Sequence, residues 1–215
     1  MKLFVWDFHG VLEKDNDLAV LEISNSVLEQ AGHAERFDQK SNQEYYGLKW
    51  FQYFERLLPH LSKKQHMALQ AACFEFAEKN TDILAKHIKP NDHSTEVIKT
   101  IHGHDHDQII LSNTRPHDLL WFVNTVGLSD SFPNHKIIGV NAHEKHHTKK
   151  DALKQYIENK QFDDLVIIGD SQSDMDLKDV AGGTTYYYSH PHIPTPSSTE
   201  AKYIINDLRK VLNEL

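Results

Sequence analysis

Four places in the sequence carry side chains suited to handling phosphate. Asp7 follows the apolar run Lys2 to Trp6, and Ser112, Asn113 and Thr114 follow the run Gln108 to Leu111. Two adjacent lysines, Lys149 and Lys150, come after a third run. The fourth place is Gly169-Asp170-Ser171-Gln172-Ser173-Asp174, directly after Leu165 to Ile168. A carboxylate such as Asp7 can attack phosphorus and carry the phosphoryl group as an acyl phosphate, dividing one difficult displacement into two easier ones. Its approach to a phosphate dianion needs charge screening. Asp170 and Asp174 offer hard oxygen ligands for Mg²⁺ beside Asp7, with coordination positions left for water and phosphate. Ser112 and a lysine can hold the equatorial phosphate oxygens as charge develops on them.

These residues converge only if the runs before them are parallel strands. Continuous Val/Ile/Leu runs of this length read as strands buried on both faces, with helical patterns between them and a further strand at Lys136 to Val140. Strands alternating with helices imply an α/β fold with a doubly wound parallel sheet, which binds ligands at the carboxyl ends of its strands. About ninety residues separate the first two strands, several times what one crossover helix requires. The excess is expected to be a helical insert at residues 15–86, leaving 1–14 and 87–215 as the core. Helices are expected at Leu18 to Ala31 with Gly32 as the stop, and at Asn42 to Leu58 and Lys63 to Lys79 with Pro59 and Ser62 between them. Ser94 to His102 reads as a core helix, Ser189 to Ser198 as a loop, and Lys202 to Leu215 as a closing strand and helix.

The set resembles the haloacid dehalogenase-like (HAD) superfamily of aspartate-nucleophile phosphohydrolases. Val5 to Leu12 resembles the first motif of that superfamily, Asp-x-Asp-Gly-(Thr/Val), and Leu111-Ser112-Asn113 resembles the second. Val166 to Asp174 is similar to the fourth, followed by a strand-and-turn continuation through Ala181-Gly182-Gly183 to Tyr188, and Ala201 to Leu208 is similar to the closing strand and turn. The resemblance implies that Asp7 is nucleophile and metal ligand, with the His9 backbone carbonyl and Asp170 as further ligands. Asp174 would be a ligand or stand beside one. Lys149 is favoured as the motif lysine, with Thr148 and Asp151 forming a capping box at the start of its helix, and Lys150 is the alternative. Gly10, Asn113 and Arg115 are expected near the substrate, with His117 a further candidate. The insert would be a helical cap of the first type, which closes over small soluble substrates.

One position departs from the pattern. The usual phosphatases of the family carry Asp two residues after the nucleophile, as acid for the leaving group and base for water, and here that residue is His9. Imidazole, with an ordinary pKa of about 6.5, suits both tasks near neutrality. The expected activity is a Mg²⁺-dependent phosphomonoester hydrolase for a small phosphorylated metabolite, working through a phosphoaspartate. The alternatives are a phosphonate hydrolase, a phosphomutase, a dehalogenase, or a phosphate-binding protein with weak turnover. A phosphonate hydrolase of this family would need a cap lysine, for which Lys14, Lys40 and Lys49 are placed in or near the insert.

Composition narrows the partners. With 39% hydrophobic and 25% charged residues the 215-residue chain can bury a core, and a net charge of -8 is the wrong sign for a phosphate-backbone binder. Neither a nucleic-acid nor a membrane partner is expected, and the lone Cys73 reads as a core residue of a cytoplasmic protein. His143-Glu144-Lys145-His146-His147 fits the zinc-protease pattern H-E-x-x-H but lacks the apolar periodicity of a helix, so it reads as a polar loop. The histidines between His102 and His106 read as a solvated turn. Tyr45, Tyr46, Trp50, Phe51, Tyr53 and Phe54 are too many aromatics for one buried helix face, and suit either core packing or a substrate-selecting lining.

Overall fold

The computed structural model describes residues 1–45, 48–140, 148–191, 193 and 195–215. Tyr46 and the H-E-x-x-H stretch at 143–147 lie outside the described residues. The chain forms two compact units, one of residues 1–14 and 89–215, the other of residues 15–88.

The first unit is built on a six-stranded parallel sheet. In chain order its strands are β1 (Leu3–Trp6), β4 (Asp107–Ser112), β5 (Ile137–Gly139), β6 (Leu165–Gly169), β7 (Thr184–Tyr188) and β8 (Tyr203–Ile205), and their spatial order is β5-β4-β1-β6-β7-β8. A two-stranded antiparallel ribbon of β2 (Glu13–Lys14) and β3 (Lys89–Pro90), which the sequence does not advertise, stands where the chain leaves this unit and returns to it. β1 is central, with Val5 opposite Ile109 of β4 and Ile167 of β6, and all four of its side chains are buried. The Leu3, Val5, Ile109, Leu111, Leu165 and Ile167 side chains share one core cluster. That explains the unbroken apolar runs, because a strand covered on both faces has no solvent side to alternate with. The chain steps from β1 outward to β4 and β5, then crosses to β6 on the other side of β1. This reversal opens a crevice at the carboxyl end of the sheet beside β1.

Helices α6 (Ser94–His102), α7 (Pro116–Thr125), α8 (Lys149–Ile157), α9 (Gln172–Met175) and α10 (Lys178–Ala181) connect the strands. The closing segment Leu208–Glu214 is a 3₁₀ helix, a refinement of the helix expected there. Leu208 and Val211, three residues apart, are its fully buried positions, and a three-residue turn places both on one side.

The second unit is helical, with α1 (Asn16–Gln30), α2 (Gln39–Glu44), α3 (Trp50–Leu57), α4 (Lys63–Lys79) and α5 (Thr81–His87). The single helix expected over Asn42 to Leu58 is two helices, because α3 has a start of its own. The Lys49 N–H donates to Gln52 Oε1 at 2.8 Å, and upstream Asp38 and Ser41 cap α2 reciprocally. Phe37, Tyr53, Phe54, Leu58 and Cys73 pack in this core with Tyr45 and Trp50 against it, so these aromatics serve the packing of the unit. The Trp50 indole N–H donates to Ser24 Oγ at 2.7 Å, and the Phe51 N–H to Gln70 Oε1 at 2.9 Å. Among the described residues, no helix is long and apolar enough to cross a membrane.

Candidate active site

Asp7 stands one residue beyond β1, and its amide donates to the Ile168 carbonyl of β6 at 2.8 Å, extending the ladder to the lip of the crevice. Asp7 Oδ1 accepts from the Phe8 N–H and from Lys149 Nζ, each at 2.8 Å. Lys149 reaches this point because it is the first residue of α8, whose N-terminus is set by Thr148 and Asp151 in a reciprocal capping box. The same ammonium donates to Asp174 Oδ1 at 2.6 Å. Lys150, about 100° further round the helix, is half-buried and pairs with Asp179 at 2.7 Å. Of the two candidate lysines, the fold brings only Lys149 to the carboxylates.

Asp174 is buried, and its other oxygen accepts from the Ser171 amide at 3.1 Å and the Ser171 hydroxyl at 2.5 Å. Gly169 makes room for it: a Cβ there would run into the Asp174 side chain. Asp170 Oδ2 lies 2.8 Å from His190 Nε2. One oxygen from each of Asp7, Asp170 and Asp174 can be chosen so that all three lie within 4.8 Å of one another. Burial, together with the charges of Asp174 and Asp170, pushes the Asp7 carboxyl up to about 7 against the opposing pull of Lys149. Burial works against the Lys149 charge as well, but Asp174 and Asp7 outweigh it and hold the ammonium above its ordinary pKa. Three clustered carboxylates against one ammonium leave a surplus of negative charge on hard oxygen donors, a set that fits Mg²⁺.

Ser112 ends β4, buried, with its hydroxyl 3.0 Å from Thr114 Oγ1. The loop after it crosses β5 at Gly139, where a Cβ would come within 2.5 Å of the Thr114 carbonyl and 2.8 Å of Pro116 Cα. Asn113 is exposed, and Arg115 Nε pairs with Asp118 Oδ2 at 2.5 Å in the first turn of α7. His117 is exposed beside the same carboxylate, 3.0 Å away. Gly10 takes φ 79°, the left-handed region, in the turn that follows His9.

Two neighbours of the site escape the sequence reading. His190 sits in a segment read as plain loop, and only the pairing of β7 with β6 carries it to Asp170. Glu13 carries no motif, yet its carboxylate is fully buried and contacts His9.

A doubly wound α/β sheet with a carboxylate cluster and a buried lysine at its carboxyl end defines the class. The family model for haloacid dehalogenase-like hydrolases matches residues 4–185, and the chain belongs to that family. Among solved structures it is similar to a hydrolase of the haloacid dehalogenase-like family from Streptococcus pneumoniae, at 15% identity and TM-score 0.80, over 99% of this chain and 97% of that one. A predicted phosphoglycolate phosphatase from Haemophilus somnus gives 13% identity and TM-score 0.80 over 100% and 97% of the two chains. A predicted phosphatase from Clostridium acetobutylicum gives 15% and 0.77 over 100% and 98%. At these identities the likeness is one of fold. A search of curated protein sequences returns no match.

Proposed function

We propose that this protein is a Mg²⁺-dependent phosphomonoester hydrolase acting on a small phosphorylated metabolite. The observation that carries the reading is Asp7 at the end of the central strand, held by Lys149 at 2.8 Å and grouped with Asp170 and Asp174. Asp7 attacks phosphorus in line with the ester oxygen, forming a phosphoaspartate as the phosphorus–ester bond breaks. His9 protonates the departing oxygen, then takes a proton from the water that hydrolyses the phosphoaspartate. Lys149 favours the ionised, nucleophilic form of Asp7, and Ser112 donates its hydroxyl hydrogen to a phosphate oxygen. Mg²⁺, held by Asp7, Asp170, the His9 carbonyl and Asp174, or by the first three with Asp174 beside them, would screen the charge between the phosphate dianion and the carboxylates. Gly10, Asn113 and Arg115 stand near enough in the chain to that centre to meet the substrate. Residues 15–88 would serve as the cap that selects it.

The test is hydrolysis of 4-nitrophenyl phosphate with Mg²⁺ or with EDTA. Turnover that requires metal and falls by about 10³-fold or more in Asp7→Asn is the expected result. Full metal-dependent activity in that variant would overturn the role of Asp7.

A further inference from the structure

The segment after β1 turns back on itself and puts a second carboxylate against His9. Gly10 takes φ 79°, and the amides of Val11, Leu12 and Glu13 all donate to the Phe8 carbonyl, at 3.2, 3.0 and 3.1 Å. This wrap carries Glu13, the first residue of β2, alongside a residue four positions earlier without any helix. Glu13 Oε1 accepts the Gly10 N–H at 3.2 Å and lies 2.9 Å from His9 Nδ1. An ionised carboxylate can only accept, so with Glu13 as the carboxylate His9 Nδ1 carries the hydrogen between them. The imidazole is held from two further directions, its ring edge-on to Phe8 at 5.2 Å and to Phe122 of α7 at 5.1 Å. A fully buried carboxylate costs several kcal/mol unless its hydrogen bonds repay it, and packing alone would be served as well by leucine at this position.

We propose that Glu13 is a positioning residue for catalysis: its carboxylate holds His9 in the Nδ1-protonated tautomer and leaves Nε2 to exchange protons with the reacting oxygens. The inference rests on the reading of His9 as the acid and base of the hydrolase. In the first half-reaction Nε2–H gives its proton to the ester oxygen as the bond to phosphorus breaks, leaving neutral imidazole with its hydrogen on Nδ1. In the second, Nε2 accepts a proton from the attacking water as the acyl phosphate is cleaved to phosphate and the Asp7 carboxylate, which restores the starting state. The Nδ1–H···Oε1 bond stays intact throughout, as for a base oriented by a third group.

The test compares kcat/KM, which reports phosphoryl transfer to Asp7, for phenyl phosphate and for 4-nitrophenyl phosphate with Mg²⁺. Phenolate is the poorer leaving group and depends more on protonation. Glu13→Leu is expected to slow phenyl phosphate about tenfold or more, part of the 10²–10⁴ that a positioned acid supplies, and 4-nitrophenyl phosphate less than about threefold. In a His9→Ala background the same substitution is expected to change either rate less than about twofold, because its effect passes through His9. Equal reductions on both esters, or an undiminished reduction without His9, would overturn the proposal. Nitrogen-15 NMR of histidine-labelled wild type, with His9 identified by comparison with His9→Gln, is independent of activity and of how well Glu13→Leu folds. At about pH 8.5, above the ordinary imidazole range, the hydrogen is expected on Nδ1, and finding it on Nε2 overturns the proposal. If wild type hydrolyses neither ester, the phosphatase reading fails, while the tautomer is still decided by NMR.

Discussion

Lys149→Met removes the ammonium between Asp7 and Asp174 while keeping most of the buried stem. The two ion pairs of that ammonium are 2.8 and 2.6 Å long, and the carboxylates concerned are only 11% and 2% exposed, so little water can replace the missing charge. Removing one partner of such a buried pair costs about 3–5 kcal/mol. Proton uptake limits the cost. Asp7 already titrates at about 7, and without Lys149 the effects of burial, Asp174 and Asp170 push it higher still. A carboxyl whose pKa is raised by folding binds its proton more tightly in the native state, so its ionisation destabilises the fold. Stability therefore falls as pH rises from the unfolded value of 3.8 to the folded one. In wild type that fall levels off near pH 7, whereas in the variant it continues, and the gap widens by up to about 1.4 kcal/mol per pH unit above that point. The assay is urea unfolding in EDTA at about pH 6 and about pH 8. We expect a penalty near 3 kcal/mol at about pH 6, larger by up to about 1.4 kcal/mol at about pH 8, and smaller in an Asp7→Asn background because one of the facing charges is gone. A penalty independent of pH, or undiminished in that background, would refute the electrostatic account.

Gly169→Ala should push its new methyl into the Asp174 side chain, costing about 1–3 kcal/mol in urea unfolding and weakening Mg²⁺ binding by calorimetry. If neither changes, the close approach of β6 to Asp174 is wrong. Burial pushes the Cys73 thiol up to about 12, opposed by a hydrogen bond to Ser24, so a thiol reagent at about pH 8 should react only as the helical unit unfolds. Rapid labelling of the native protein would contradict the packing of α4.

β1, β4 and β6 were legible because burial on both faces writes itself as unbroken apolar runs, and α4 and α6 because their ends are marked locally, α4 by the Ser62–Gln65 box and α6 by Gly103. The break between α2 and α3 was not, since aromatic and apolar residues flank it on both sides and the new start rests on Lys49 and Gln52 rather than on a Ser, Thr, Asp or Asn cap. The β2–β3 ribbon, two residues on each side, is too short to carry a period. The lysine is instructive. Thr148 and Asp151 announce the start of α8, but Lys149 and Lys150 differ only in where the helix points them, and that direction comes from packing α8 on the sheet.

What the sequence determined by itself was the strand–helix order and the reactive residues at the strand ends, because local periodicity and capping need only neighbours along the chain. The tertiary structure alone decided which of these meet. Asp7, Lys149 and Asp174 lie up to 167 positions apart and touch through parallel pairing of β1 with β6 and the placement of α8. His190 reaches Asp170 for the same reason, through the pairing of β7 with β6, whereas Glu13 meets His9 through the turn at Gly10, whose path no periodicity announces.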